Sequence, residues 1–183
     1  ARQQGPRLDR RTQFRWGMAI FAGGSLASML SVWVNGGDVS ATLFNAASAS
    51  STAGFSVGSG FADVPALGAI AIVSMVIGGA AGSTAGGLKT ARVAWLIKAS
   101  ARWLPQGGDV HDRPYIWDGE EVEPDEAAER ISGAAALAVV WLLSIVAGTF
   151  ALTLATSATL DDALFEAASA LSGVGLSSGL TGG

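Results

Sequence analysis

Three stretches of the chain run without one Asp, Glu, Lys or Arg: Trp16 to Val34, Val64 to Leu88 and Ile131 to Leu160. Each is long enough to cross about 30 Å of hydrocarbon as a helix. After the first, and again after the third, comes a shorter Ala- and Ser-rich helical pattern, Val39 to Ser51 and Leu160 to Leu171. A dozen residues of helix is too short to span. Both short patterns give way to a glycine-centred break, Thr52-Ala53-Gly54-Phe55 and Gly173-Val174-Gly175-Leu176. The pattern predicts an all-α membrane protein of repeated helix, pore-loop, helix units. Its first unit covers 1–103, with a span, a pore helix 39–51, a filter 52–56 and a broken span 64–103. A linker at 104–129 follows. An incomplete second unit at 130–183 has a span, a pore helix 160–171 and a filter 172–177.

Composition agrees. Half of the 183 residues are apolar and 14% are charged, against about 25% charged in soluble domains. A secretory signal would be one short apolar core, not three long ones. With no cysteine and one histidine, His111, in a polar stretch, there is no thiol chemistry and no convergent set of metal ligands. No nucleophile, base and acid come together, so an enzyme is not expected, nor is a nucleic-acid partner.

The eleven basic residues fall before the first span, between 89 and 102, and at Arg113 and Arg130. The positive-inside rule then makes the N-terminus and the 89–130 region cytoplasmic in a multi-pass protein of the inner (plasma) membrane, and turns the 35–63 and C-terminal segments outward. Those outer segments hold only acids, Asp38, Asp63, Asp161, Asp162 and Glu166. A carboxylate-lined mouth concentrates cations; the competing role for Asp38, Asp161 or Asp162, and Asp63 is helix capping. The opening at Ala1 and the stop at Gly183 suggest an internal fragment.

The strongest signal is a repeat. Residues 43–58 align with 164–179 at a constant offset of 121, with ten of sixteen pairs identical. Irregular backbone at membrane depth is tolerated only where protein buries it or water and ions reach it. Each central glycine admits dihedrals closed to other residues, so that successive carbonyls can replace an ion's water shell. The short helix before each break aims its negative end at the same place. The alternative is a pair of glycine-rich turns between hairpin helices.

A second glycine-rich stretch, Gly78-Gly79-Ala80-Ala81-Gly82-Ser83-Thr84-Ala85-Gly86-Gly87, interrupts the middle span before Leu88-Lys89-Thr90. Glycine costs about 1 kcal/mol relative to Ala in a helix interior, so a broken helix is expected. A phosphate-binding P-loop needs Gly and Lys adjacent, and Leu88 separates Gly87 from Lys89. Two readings stay open: close helix packing through Gly78, Gly82 and Gly86, and a movable intramembrane loop obstructing a conduction path, with Lys89 and Arg92 anchoring its cytoplasmic end.

The motifs S-T-A-G-F-S at 51–56, G-G-A-A-G-S-T-A-G-G-L-K-T at 78–90 and A-L-S-G-V-G-L-S at 170–177 resemble the TrkH and KtrB family of potassium transporters. The resemblance covers the chain outside about 103–129 and implies four such repeats around one pore, here the third and an incomplete fourth. It implies a potassium filter at Thr52, Ala53, Gly54, Phe55, Gly173, Val174, Gly175 and Leu176, with potassium as the transported ion and no organic cofactor. It implies a gate loop comprising Gly78, Gly79, Gly82, Ser83, Thr84, Gly86, Gly87 and Lys89. It further implies a homodimer in the lipid bilayer, completed by the remaining repeats of the parent chain and controlled by a cytoplasmic nucleotide-binding RCK-type subunit similar to TrkA or KtrA. Gly173 stands where the first unit has Thr52, which removes a hydroxyl. A non-conducting scaffold of small-residue-rich helices is the competing class.

Overall fold

The computed structural model describes residues 10–58, 65–103, 115–117 and 120–180. The expected roles of Asp63, His111 and Arg113 lie outside the described residues. Among these residues six helices and one small hairpin follow in order: α1 (Arg10–Asn35), α2 (Val39–Ser51), α3 (Pro65–Ile77), α4 (Thr90–Trp103), β1 (Tyr115–Trp117), β2 (Glu120–Val122), α5 (Pro124–Ala155) and α6 (Leu160–Leu171).

Among the described residues two helices are long and apolar enough to cross a bilayer, Phe14–Val34 within α1 and α5. At a rise of about 1.5 Å per residue, the 32 residues of α5 extend well beyond the hydrocarbon. Trp33, Leu143 and Leu154 lie exposed on these helices, which suits surfaces whose surroundings are acyl chains. The middle apolar run is interrupted at its glycines: α3 and α4 are separate helices of 13 and 14 residues joined by 78–89, and α3 alone is shorter than the two spanning candidates.

Both short helices fold back. α1 ends at Gly36 and Gly37, both with positive φ, and Asp38 caps α2 by accepting from the amides of Ser40 and Ala41. Thirteen residues later, Ser50 and Ser51 share a cavity of about 220 Å³ with Gly17, Ile20 and Phe21 from the first half of α1. The second helix therefore returns beside the first rather than lying across its end. α6 does the same against α5, where an added Cβ on Gly148 would sit 3.4 Å from the Ala167 methyl.

The two units share one core. Ala49 of α2, Ala71 and Met75 of α3, Phe165 and Ala168 of α6, and Val174 and Leu176 beyond α6 form a single buried cluster. A second cluster closes the opposite end of the bundle, with Ala94 and Trp95 of α4, Trp117 of β1, Ala127 of α5, and Trp16 packed against them.

That second cluster departs from expectation. The stretch 106–125 reads as a solvated loop with at most one amphipathic turn, yet Tyr115 pairs with Val122 and Trp117 with Glu120 in an antiparallel hairpin. Trp117 stacks on Trp95 with ring centroids 4.6 Å apart and an interplanar angle of 5°. Lys98 lies 4.4 Å from the Trp117 ring and donates to the Ile116 carbonyl at 2.7 Å, while Arg102 covers Tyr115 at 3.5 Å. Alternation places Tyr115 and Trp117 on one face, and the two aromatics supply the apolar area that an acidic loop otherwise lacks. The long helix also starts at Pro124 instead of 130. Proline suits the first helical position, and Asp125 and Glu126 in the first turn favour the positive end of the helix dipole.

Candidate functional site

The two glycine-centred breaks have the same backbone. Thr52 and Gly173, at equivalent positions, both take left-handed dihedrals with φ of 56° and 63°, and Gly54 and Gly175 follow at 80° and 83°. Left-handed backbone costs a non-glycine residue roughly 1–2 kcal/mol, so Gly173 occupies without strain a conformation into which Thr52 is forced. The helix ends match as well. The Ala53 amide donates to the Ser48 carbonyl at 3.0 Å, and the Val174 amide to the Ser169 carbonyl at 3.0 Å.

Outward of each glycine, the chain is tied back to its short helix. Asn45 of α2 accepts from the Val57 amide at 2.9 Å and donates to the Val57 carbonyl at 3.1 Å. At the equivalent place in α6, the Glu166 carboxylate accepts from the Ser178 amide at 2.9 Å and from the Ser177 hydroxyl. Glu166 was expected to line an acidic mouth. Instead it is buried, at 7% exposure, with hydrogen bonds that hold the chain beyond Gly175.

The remaining acids divide by role. Asp38 is a cap; the Ser40 hydroxyl and the Ser40 and Ala41 amides hold its carboxyl below the ordinary value. Neither Asp161 nor Asp162 caps α6. Thr159 is the N-cap, accepting from the Asp162 amide at 3.3 Å and donating its hydroxyl to the Asp162 carboxylate at 2.6 Å. Both acids sit in the first turn, where they complement the helix dipole.

The units touch through main chain. A Cβ on Gly54 would lie 2.0 Å from the Val174 carbonyl oxygen, so only a glycine allows the two breaks to abut. The short helices, whose negative ends face these segments, thus converge with their carbonyl-rich continuations.

The 78–89 connection lies against both breaks. Its ends are fixed by the Leu88 amide to the Val76 carbonyl at 2.9 Å and by the Thr90 amide to the Gly79 carbonyl at 3.0 Å. Near its far end, the Gly86 amide donates to the Thr52 hydroxyl at 3.0 Å. The hydroxyl absent at position 173 is, in the first unit, an acceptor for this loop. A Cβ on Gly86 would fall 1.7 Å from the Ser172 carbonyl oxygen. Lys89 points back into the loop, donating to the Ser83 carbonyl at 3.1 Å and to the Ala85 carbonyl. Arg92 donates to the Leu88 carbonyl at 3.3 Å. Gly78 packs on the Gly86 carbonyl within the loop, Gly86 on the Ser172 carbonyl of the second unit, and an added Cβ on Gly82 would meet nothing within 4 Å.

The segments Thr52, Ala53, Gly54 and Phe55 and Gly173, Val174, Gly175 and Leu176 therefore meet where Gly54 lies against Val174 and Gly175, and Gly86 lies against Thr52 of the first set and Ser172, the residue just before the second. Gly82, Ser83 and Thr84 lie at the exposed turn of the loop, apart from the breaks. Sequence reasoning did not single out the roles of Asn45, Ser177 and Ser178. The signal was available, since Asn45 and Glu166 are exchanged between two otherwise identical stretches, 43–49 and 164–170.

A family model described as TrkH, cation transport protein, matches residues 20–182. No curated protein matches the chain.

Proposed function

The chain belongs to the TrkH family of cation transport proteins, and from that premise we propose that it conducts potassium inward through a carbonyl-lined filter gated by the 78–89 loop. One observation carries the reading most. Two repeat-equivalent, glycine-kinked segments at the negative ends of re-entrant helices abut main chain to main chain, and a single loop residue, Gly86, contacts both. Carbonyl oxygens offered by Thr52 to Phe55 and Gly173 to Leu176 suit a weakly hydrated monovalent cation. With Gly86 latched, the loop stands at the inner end of that path; displacement opens it.

The unequal exposure of the two units supports further repeats around the same axis. Phe165 is 4% exposed and Leu176 3%, both packed on the first unit, while their counterparts Phe44 and Phe55 are 47% and 68% exposed. Packing of another unit's broken helix on Phe44, as α3 packs on Phe165, would bury them. The cytoplasmic ends are those bearing Arg15, Lys98 and Arg102, in a cell-membrane protein whose homodimer carries an RCK-type nucleotide-binding subunit on that side.

The test is rubidium-86 uptake into liposomes containing the full chain, driven by a potassium gradient. Uptake above empty vesicles, blocked by excess potassium and spared by equal sodium, is the expected result. Folded protein without cation flux would favour a non-conducting scaffold.

A further inference from the structure

The two units hold their candidate filters with the same bond from chemically different residues. We infer that Asn45 and Glu166 are positioning residues of the cation path, each fixing the outer limb of its own glycine-centred segment by accepting from the amide at 57 or 178, and differing in the polarity of the second bond, a donor at 45 and an acceptor at 166. This rests on the filter reading above.

Each segment is held at two points. Inward of the glycine, the Ala53 and Val174 amides return to the Ser48 and Ser169 carbonyls. Outward, the residue related by the 121 offset, Val57 or Ser178, is bound by the helix side chain at 45 or 166. Between those points the carbonyls have no helical ladder to set their direction, so the distance between the two ties fixes the bow of the chain. Asn45 is 2% exposed and Glu166 similarly buried, so water does not substitute readily for a lost partner.

The polarity differs. Val57 presents both an amide and a carbonyl, and the Asn45 amide answers both, accepting with Oδ1 and donating with Nδ2. Ser177 and Ser178 present two donors, and both bonds end on one oxygen of Glu166, Oε1. A carboxylate at 45 has no donor for the Val57 carbonyl and sets oxygen against oxygen. A glutamine at 166 retains an oxygen for both donors. Substitutions that conserve shape therefore have unequal outcomes.

The experiment measures the preference for rubidium over sodium, separately from maximal uptake, for full-chain variants reconstituted at equal folded amount. Losing one buried hydrogen bond corresponds to about a fivefold change, so Asn45→Asp should lower the preference about fivefold, whereas Glu166→Gln, which keeps an acceptor for both donors but trades a charged one for a neutral one, should lower it less. Ser177→Ala removes one donor from an exposed position and keeps the helix intact; it should lower the preference in the same direction, which covers the case in which Asn45→Asp does not fold. The inference is overturned if Asn45→Asp or Ser177→Ala folds and leaves the preference unchanged, or if Glu166→Gln falls as far as Asn45→Asp. Gly54→Ala is the reference for the underlying reading. A changed preference there with none in the tie variants rejects the ties alone, whereas no change in any of them rejects the filter itself.

Discussion

Replacing Gly86 by alanine tests the gate most directly, because the obstacle it meets is main chain. The new Cβ would lie 1.7 Å from the Ser172 oxygen, 2.6 Å from its carbonyl carbon and 3.3 Å from its Cα. No flexible side chain can swing aside, so relief requires the loop or the second break to move by more than 1 Å. Overpacking of this kind costs about 1–3 kcal/mol, and the Gly86 amide bond to Thr52 contributes about 0.5–1.5 kcal/mol more if it is broken. Since every 1.4 kcal/mol is about tenfold in an equilibrium, displaced loop should become at least about tenfold more populated. The assay is rubidium-86 uptake into liposomes without any regulatory subunit, normalised to folded protein. Gly133→Ala on α5, where an added Cβ meets nothing within 4 Å, is the matched control and should leave uptake unchanged. If Gly86→Ala folds and uptake equals that of the control, the loop contact seen here does not restrict flow and the gate reasoning fails.

The remaining predictions separate the parts of the machine. Thr52→Val keeps the β-branch and the backbone strain but removes the acceptor for Gly86, so uptake should rise severalfold, in line with the about 1 kcal/mol of one hydrogen bond; unchanged uptake would mean that the bond does not hold the loop. Lys89→Met withdraws the donor shared by the Ser83 and Ala85 carbonyls, and should raise protease sensitivity of the loop together with basal flux. Trp117→Ala removes the ring stacked on Trp95 and should cost about 3–5 kcal/mol of stability, read as a lower melting temperature in detergent with filter preference intact. For Asp38, the folded carboxyl titrates below its ordinary value. Its cap therefore stabilises α2 above the unfolded pKa, near the ordinary 3.8, and is lost as pH falls further. Asp38→Ala should abolish that acid-side dependence of amide exchange at the start of α2.

Much of the architecture is visible in the chain because the bilayer imposes a coarse alphabet. Charge-free runs mark most of α1, α3 with the glycine-rich connection after it, and most of α5, and the repeat at offset 121 marks both short helices. Short-range polar chemistry is less visible. Glu166 reads as an exposed acid when judged by its neighbours in sequence, but it is the amide of Ser178, twelve positions away, that decides its burial. Thr159 was overlooked as a cap because two carboxylates follow it at once, and an acid in the first turn and an acid at the N-cap look alike in sequence. The hairpin failed for a related reason: charge around Tyr115-Ile116-Trp117 masks three residues of high strand propensity, whose partner, Trp95, lies on a helix before the linker.

In sequence the 78–87 stretch and the two glycine-centred breaks stand as separate motifs, although one residue, Gly86, joins them. Gly86 has no side chain, so its contacts leave no trace in hydropathy or charge; its amide and its missing Cβ carry the whole interaction. Thr52, likewise, is conspicuous in sequence as a hydroxyl two residues before Gly54, which suggests an ion ligand, whereas its hydroxyl accepts from the Gly86 amide of the loop. A loop latched to one filter segment by a hydrogen bond and to the other by contact cannot leave without releasing both. Opening should therefore loosen the inner end of the filter as well as clear the path below it, and variants that unlatch the loop should lose part of their preference for rubidium over sodium while gaining flux. If Thr52→Val gains flux with the preference undiminished, the latch holds the loop without shaping the filter.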